Sequence, residues 1–412
     1  MLQDMLQSRR KKLEASLNEG ETVIIFAAEP INYPAYFLQE SNFFYFTGLD
    51  TPNAVLFQIK YKDKLESMLF IERGIPEREV WDGKKTTVAE ATRESGIEKV
   101  YYLDEFYDKI SSWLVLTRKC WINLGNRQLL SSPNRAQMFV SAMREKNPQI
   151  LYDDTSELLR KFRAVKDKWE IEQIRQAIAV TREGILTIFS QARARMMEFE
   201  LEAILNYEVY RRGLRHFGFK AIIASGINAA ILHYIENNSK INAGDLVLLD
   251  VGARCNNYSA DITRTFPVSG KFNGRQEKIY SAVLSVQKAV IAMIKPGVSL
   301  IDLNKRTEEL ITKELLDLKL IDDEKDFRKY YMHSVSHHLG LDTHDIGARD
   351  SVLEKGNVIT VEPGIYVPEE RIGIRIEDDI LVTARGCEVL SASIPKEIED
   401  LEKLCGIQGG RK

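Results

Sequence analysis

The sequence predicts an α+β chain of two domains: an α/β N-terminal domain over residues 1–155 and a second domain over 156–412 built from two related halves. Three observations carry this. Short apolar runs separated by turn residues fill the first part, and a charged, helix-periodic stretch then opens near residues 152–166. Further on, two strand-like segments repeat one pattern. AGDLVLLDVG (Ala243 to Gly252) and KGNVITVEPG (Lys355 to Gly364) each place an acid six residues after the first glycine and two before the last.

Taken in order, the chain opens on a helix-prone segment whose RRKK run, Arg9 to Lys12, reads as a solvated helix face. TVIIFAA and AVLFQIKY read as strands. The aromatic cluster Phe43 to Phe46 reads as a buried strand, and Trp81 in EVWDGKK as core packing, against a role covering a site. WLVL and CWINLG read as further strands. Beyond the boundary, DDTSELLRKFRAVKDKWEIEQIRQ continues without Pro or Gly until Gly184, which predicts one long amphipathic helix. A second helix, FELEAILNYEVYRRGL, ends near Gly213. The halves are joined by a helical segment from Gln276 to about Lys319, restarting at Ser299 as an N-cap.

Composition narrows the partner. With 44% hydrophobic and 28% charged residues the chain is an ordinary globular one, and its formal net charge of −3 supplies no field for nucleic acid or an anionic membrane. No apolar run approaches the ~20 residues of a spanning helix, and no signal-peptide pattern opens the chain. Cys120, Cys255, Cys387 and Cys405 form no CxxC pair. A reducing cytoplasmic compartment and a small local substrate are therefore expected.

Chemistry concentrates in HSVSHHLGLDTHD, His333 to Asp345, which holds four of the six histidines. Imidazole serves both as metal ligand and as proton carrier near neutral pH. One imidazole cannot hold a catalytic metal alone, so carboxylates at the ends of buried strands are needed: Asp250, Asp261, Glu362 and Glu377. Asp250 ends the run LVLL, where an unpaired carboxylate is costly. It must be paired, protonated or bound to a cation. Four carboxylates around one dication leave a negative excess, which favours two ions, and an oxygen-rich shell with one imidazole suits manganese, cobalt or zinc better than a soft thiolate metal.

These same residues carry a resemblance. ILHYIENN, GDLVLLDVGA, SADITRTFPVSGKF, HSVSHHLGLDTHDIG, VITVEPGIY and IGIRIEDDI resemble the pita-bread metallopeptidases, and within them the Xaa-Pro aminopeptidases (aminopeptidase P). VIIFAAEP, YPAYFLQESNFFYFTGL and VWDGKK resemble the accessory domain of that group, so the likeness spans nearly the whole chain. It implies a C-terminal pita-bread domain with pseudo-twofold halves behind an accessory domain. It further implies that Asp250 chelates one metal, that Asp261 and Glu377 bridge two, and that His337 and Glu362 complete the second. His233, His333, His344 and Arg375 match substrate-side positions. Spacing alone leaves His337 and His338 interchangeable; the motif selects His337, leaving His338 and His216 as structural. The implied reaction releases the N-terminal residue from peptides with proline second, by attack of a hydroxide held between the metals, with Glu362 moving the proton. A homodimer or homotetramer is implied, in which Trp81 reaches a neighbouring cleft. Competing expectations are a prolidase restricted to dipeptides, a metal-free creatinase-like hydrolase and a non-catalytic pita-bread binding module.

Overall fold

The computed structural model describes residues 2–30, 36–125, 132–347, 350 and 352–405. Tyr33 to Ala35 of the accessory-domain string lie outside them. The chain divides into two units, Met1–Phe162 and Arg163–Lys412.

The first unit is a six-stranded sheet in the order β4-β3-β2-β1-β5-β6. Its strands are β1 (Glu21–Phe26), β2 (Val55–Tyr61), β3 (Lys64–Ile71), β4 (Lys99–Tyr102), β5 (Lys119–Ile122) and β6 (Leu151–Asp154). The helices are α1 (Leu2–Ser16), α2 (Ser41–Thr47), α3 (Pro76–Asp82), α4 (Val88–Ser95), α5 (Phe106–Leu116) and α6 (Arg135–Lys146), with α7 (Thr155–Ala164) at the junction. One core joins the inward faces of β1 to β3 to α5 and α6 through Phe26, Phe57, Phe70, Phe106, Ile110 and Phe139.

Several expectations change here. Phe43 to Phe46 form α2, not a strand, because the Glu40 carboxylate caps the turn at the Phe43 N–H (2.6 Å) and the cluster is buried all round, which hides any period. WLVL is the end of α5, where Ile110 and Leu114 face inward one turn apart while Val115 and Leu116 are exposed. Trp81 is not core: on α3 it is 86% exposed beside exposed Val80. The basic run is only partly solvated. Arg9 is buried against the Tyr45 ring and donates to the Tyr45 carbonyl (2.9 Å), and Arg10 donates to that of Phe46 (2.9 Å), so both satisfy carbonyls left open at the end of α2.

Where one long helix was expected the chain forms two. Asp167 interrupts the run by accepting from the Trp169 and Glu170 N–H groups (2.9 and 3.0 Å), which separates α7 from α8 (Lys168–Gln191). Then come α9 (Glu198–Tyr210), β7 (His216–Phe217), β8 (Ile222–Ser225), β9 (Leu246–Val251), β10 (Ala253–Cys255), β11 (Tyr258–Ser259) and β12 (Ile262–Pro267). The joining helices are α10 (Gly274–Ile291) and α11 (Leu300–Asp317), with Ser299 capping α11 as expected. The second half holds β13 (Val358–Val361), β14 (Gly364–Val367), β15 (Ile372–Arg375), β16 (Asp378–Val382) and β17 (Cys387–Val389), before α12 (Ile398–Cys405).

The halves are related as the repeated segments imply. One sheet runs β12-β9-β8, the other β13-β16-β17, and β14 pairs with β15. In the first, β9 and β12 pair antiparallel with Asp250 opposite Thr263; in the second, β13 and β16 pair with Val361 opposite Asp378, next to Glu362 and Glu377. The return from Asp250 to Asp261 closes only because residue 252 is glycine: a Cβ there would stand 1.8 Å from the Ala260 carbonyl oxygen. Hydrogen bonds then lock the halves together, from the Glu377 N–H to the Thr263 carbonyl (3.0 Å) and from the Asp261 N–H to Asp379 Oδ2 (3.2 Å).

Helix α10 ties into this seam through Gln287, whose side-chain amide reaches the carbonyls of Val361 (3.3 Å) and Ile376 (3.1 Å). Its N-cap, Asn273, accepts from the Arg275 and Gln276 N–H groups, both at 3.0 Å. Asn273→Ala is expected to cost about 1 kcal/mol of stability, measured by urea denaturation. A loss below a few tenths would show that tertiary packing alone holds the helix start.

Candidate metal centre

The repeated strands deliver their acids to one cavity of about 710 Å³. Asp250, Asp261, Glu362 and Glu377 line it together with His233, His333, His337, His344 and Arg375, so the cavity brings together every site residue that the sequence singled out. Phe219, Leu232 and Leu300 supply apolar wall.

His337 sits at the meeting point. Its Nε2 lies 3.4 Å from Asp261 Oδ2 and 3.5 Å from Glu362 Oε1. Ligand atoms of Asp261, His337 and Glu377 all fall within 4.8 Å of one another. Donors ~2.1 Å from one ion in a tetrahedron stand ~3.4 Å apart, so the observed edges are those of a ligand cage. The imidazole is also prepared as a ligand. Burial pushes its pKa down to about 4, leaving it neutral, and its Nδ1 lies 3.0 Å from the His338 carbonyl, which holds the proton there and turns the Nε2 lone pair to the acids.

Position rather than spacing separates His337 from His338. The main chain from Val335 to Leu339 runs beside β13, with the Thr360 N–H donating to the His337 carbonyl (2.9 Å) and the Glu362 N–H to the Val335 carbonyl (2.9 Å). His338 borders the same cavity, but the ring whose Nε2 meets Asp261 and Glu362 is that of His337. His338 is buried with neither ring nitrogen hydrogen-bonded.

Electrostatics mark the acids as a set that lacks counter-charge. Burial, then Glu377 and Asp250, drive the Asp261 carboxyl well above its ordinary pKa; burial, then Glu362 and Asp250, do the same to Glu377. Glu362 is raised to about 8, by burial first, with Asp250 adding and Arg375 opposing. Asp378, next in sequence to Glu377, shows the alternative. It is equally buried, yet Arg264 (2.7 Å), Lys396 (2.6 Å) and the Ser391 hydroxyl (2.6 Å) overcome the cost of burial and hold its carboxyl below the ordinary range. Asp345, which also lines the cavity, is likewise paired, with Arg163 and Lys166, whereas Asp250, Asp261, Glu362 and Glu377 have, among the described residues, a single guanidinium between them.

That guanidinium is Arg375, at the end of β15. Its Nη2 donates to Asp250 Oδ2 (2.5 Å), its Nε to Thr263 Oγ1 (3.1 Å) and its Nη1 to the Tyr366 hydroxyl (3.1 Å). Burial opposes its charge, but Tyr366 and the three carboxylates Asp250, Glu362 and Glu377 outweigh that and raise its pKa. An arginine only donates, so the Tyr366 oxygen accepts from it and its own proton is free for His333 Nε2, 2.8 Å away. His333 Nδ1 in turn faces the Ser334 carbonyl (2.9 Å). Both nitrogens of His333 are therefore engaged, and burial lowers its pKa to about 4. His344 stands edge-on to His337 at 4.4 Å between ring centres and is exposed to the cavity, as is His233.

The donor set fits a metal on an observation independent of motif: Asp250 Oδ1 is buried without a hydrogen-bond partner while Oδ2 is fixed by Arg375. An orphaned carboxylate oxygen beside three crowded acids and a neutral imidazole is a cation site. Sequence reasoning missed the residues that hold these ligands still. Thr263 donates to Glu377 Oε2 (2.7 Å) and accepts from Arg375, while Arg264 grips the Glu377 carbonyl (2.5 Å) and Asp378. Tyr366 was equally unmarked. Only the acidic run Glu377 to Asp379 hinted that the strand needed buried cations.

With the geometry in place, the comparisons assign the lineage. Residues 172–384 match metallopeptidase family M24, and residues 6–121 match the aminopeptidase P N-terminal domain. A Xaa-Pro aminopeptidase of Haemophilus influenzae is 33% identical, with 97% of this chain and 96% of that protein aligned. Among solved structures, a putative aminopeptidase P from Bacillus anthracis superposes with a TM-score of 0.95 at 39% identity, covering 98% of this chain and 99% of its own. Aminopeptidase P of E. coli with the inhibitor Pro-Leu gives 0.91 at 32%, covering 98% of each chain. This chain belongs to metallopeptidase family M24, as a member that also carries the aminopeptidase P N-terminal domain.

Proposed function

We propose that this metallo-aminopeptidase releases the N-terminal residue from peptides whose second residue is proline, using two divalent cations, with manganese as the first choice and zinc or cobalt as alternatives. One observation carries the reading: four buried acids and a neutral imidazole converge on one cavity, in a chain similar to Xaa-Pro aminopeptidases over nearly its whole length. The convergence also argues against the non-catalytic module, which has no use for uncompensated buried acids.

Asp250, Asp261, His337, Glu362 and Glu377 would hold the metal. Bound there, the ions supply Lewis acidity and lower the pKa of water toward neutrality. Charge alone does not set their number once Arg375 is counted, because the set is then one charge negative with one dication and one charge positive with two. The donors support two: five side chains, four of them carboxylates that can offer both oxygens, supply more ligand atoms than a single four- to six-coordinate ion takes up.

The residues divide the remaining work. Glu362, ionised once the cations are bound, would accept a proton from the attacking water and return it to the departing proline nitrogen. His344 takes the developing oxyanion, since His333 already has both nitrogens occupied and serves to hold Tyr366 and Arg375 in line. His233, which lines the cavity, would steady the substrate. Arg375 fixes Asp250, beside which the free α-amino group is held. A proline amide has no N–H and a fixed ring, so peptidases that grip extended backbone handle it poorly; a cavity with its own wall of apolar and imidazole groups suits it.

We place the protein in the cytoplasm on its free cysteines, Cys120, Cys255, Cys387 and Cys405. No helix among the described residues is long and apolar enough to cross a membrane. A homodimer or homotetramer using the exposed Trp81 completes the reading.

Chelation is expected to abolish cleavage of an Xaa-Pro-Xaa tripeptide, and manganese to restore it with two ions bound per chain by elemental analysis. Activity that survives exhaustive chelation would remove the metal reading, and cleavage of Xaa-Pro dipeptides alone would make the enzyme a prolidase. Glu362→Gln should lower kcat by about 10²-fold or more with circular dichroism unchanged; undiminished turnover would remove its proton role. In metal-free protein the raised carboxyls of Asp261, Glu362 and Glu377 bind protons that the unfolded chain releases. The stability this gives is full below the ordinary carboxylate range and lost as pH rises through about 8 for Glu362. Above about pH 6.5 the imidazoles of His333 and His337, whose pKa burial lowers to about 4, are neutral folded or unfolded and add no slope, so the Tm of chelated protein should fall between about pH 7 and pH 8, and added manganese should reverse the fall; a flat or rising Tm in that window contradicts it.

A further inference from the structure

The segment bearing His233 contains none of the five residues assigned to the metal, and it is exposed to the cavity rather than packed in the core. Something else must fix where its imidazole stands. The chain around it is gathered onto one carboxylate, Glu198, the first residue of α9 and wholly buried. Glu198 Oε1 accepts from the Ser225 N–H (2.8 Å), the Ser225 hydroxyl (2.7 Å) and the Asn228 side-chain amide (3.1 Å). Oε2 accepts from the Tyr234 hydroxyl (2.7 Å) and the Ser239 N–H (2.9 Å). The donors on Oε1 precede His233 in sequence, and those on Oε2 follow it.

A carboxylate is an acceptor on both oxygens, with about four lone-pair sites. By accepting on one oxygen from donors before His233 and on the other from donors after it, Glu198 closes the His233 segment as a loop. The same turn is seated on the strand that carries Arg375. The Ala229 carbonyl lies so close to β15 that a Cβ on Gly373 would stand 1.9 Å from it, and glycine at that position lets the two backbones touch. The turn is thereby held at both ends of its reach: against β15 on one side and on Glu198 on the other.

We propose that Glu198 is a positioning residue for the peptidase reaction, acting through His233: it holds the imidazole at the height where it meets the substrate. This rests on the reading of His233 as a substrate-side residue. Glu198→Gln is the informative variant because it keeps volume and shape but turns an amide NH₂ toward one of the two donor groups. One end of the loop is then released while α9 remains.

The test is a double-variant cycle on the full, manganese-loaded chain with an Xaa-Pro-Xaa tripeptide, using Glu198→Gln, His233→Ala and both together. Glu198→Gln is expected to lower kcat by about ten- to a hundredfold, the cost of a small misplacement of a reacting group, with bound metal per chain unchanged. In the His233→Ala background the same change should cost less than about twofold, because groups acting through one another are not additive. Losses that multiply in the double variant, wild-type turnover in Glu198→Gln, or loss of bound metal from it would each overturn the proposal. A His233→Ala single variant with undiminished turnover would sink the reading of His233 itself, and the proposal with it. Should Glu198→Gln fail to fold, Tyr234→Phe, which removes one of the five donors beside His233, enters the same cycle with the same expectations.

Discussion

Uncompensated negative charge, buried in one place, governs this second unit. Asp378 and Glu377 are neighbours on the chain and both out of water, yet one is wrapped in Arg264, Lys396 and Ser391 while the other faces Asp250, Asp261 and Glu362. A folded protein tolerates the second arrangement only if protons or cations complete it. The contrast between adjacent residues gives the cavity its meaning, because it shows that the chain can neutralise a buried acid here and does not do so at the metal centre.

The rest of the unit is arranged to keep that unfavourable cluster from relaxing. Backbone bonds across the two halves fix Asp261 and Glu377, Thr263 and Arg264 hold the latter from two sides, and Gln287 reaches the carbonyls just before Glu362 and Glu377. Arg375 plays a double part, lending the set its one positive charge and linking Asp250 through Tyr366 to His333. Rigid ligands bind metal without first having to be ordered, and they keep reacting groups in register. The same logic extends to the loop on Glu198, where one carboxylate organises donors from both ends of a segment that otherwise lies open to the cavity.

Misreadings of the sequence have a common physical origin. The aromatic cluster Phe43 to Phe46 and the run WLVL are apolar and short, and hydrophobicity without period does not separate a strand from a buried helical turn. Caps decided the first and an inward pair one turn apart decided the second. Arg9 and Arg10 misled in another way, since a basic run reads as solvated until the end of a neighbouring helix presents its carbonyls. Trp81 erred in the opposite direction, being large and apolar yet left outside the core. The charge count at the metal centre also changed once Arg375 was seen beside Asp250, a contact between residues 125 positions apart.

What the sequence determined alone was the chemical inventory. Two copies of a strand ending in an acid, a histidine-rich stretch and a charged helical boundary were legible because each is a local pattern, written in consecutive residues. The tertiary structure decided everything that depends on distance between remote residues: that His337 rather than His338 faces the acids, that His333 is spoken for by Tyr366, that Asp250 keeps one oxygen open, and that Glu198 gathers the His233 loop. Folding is what turns spacing along a chain into separation in space, and electrostatic chemistry depends on the second.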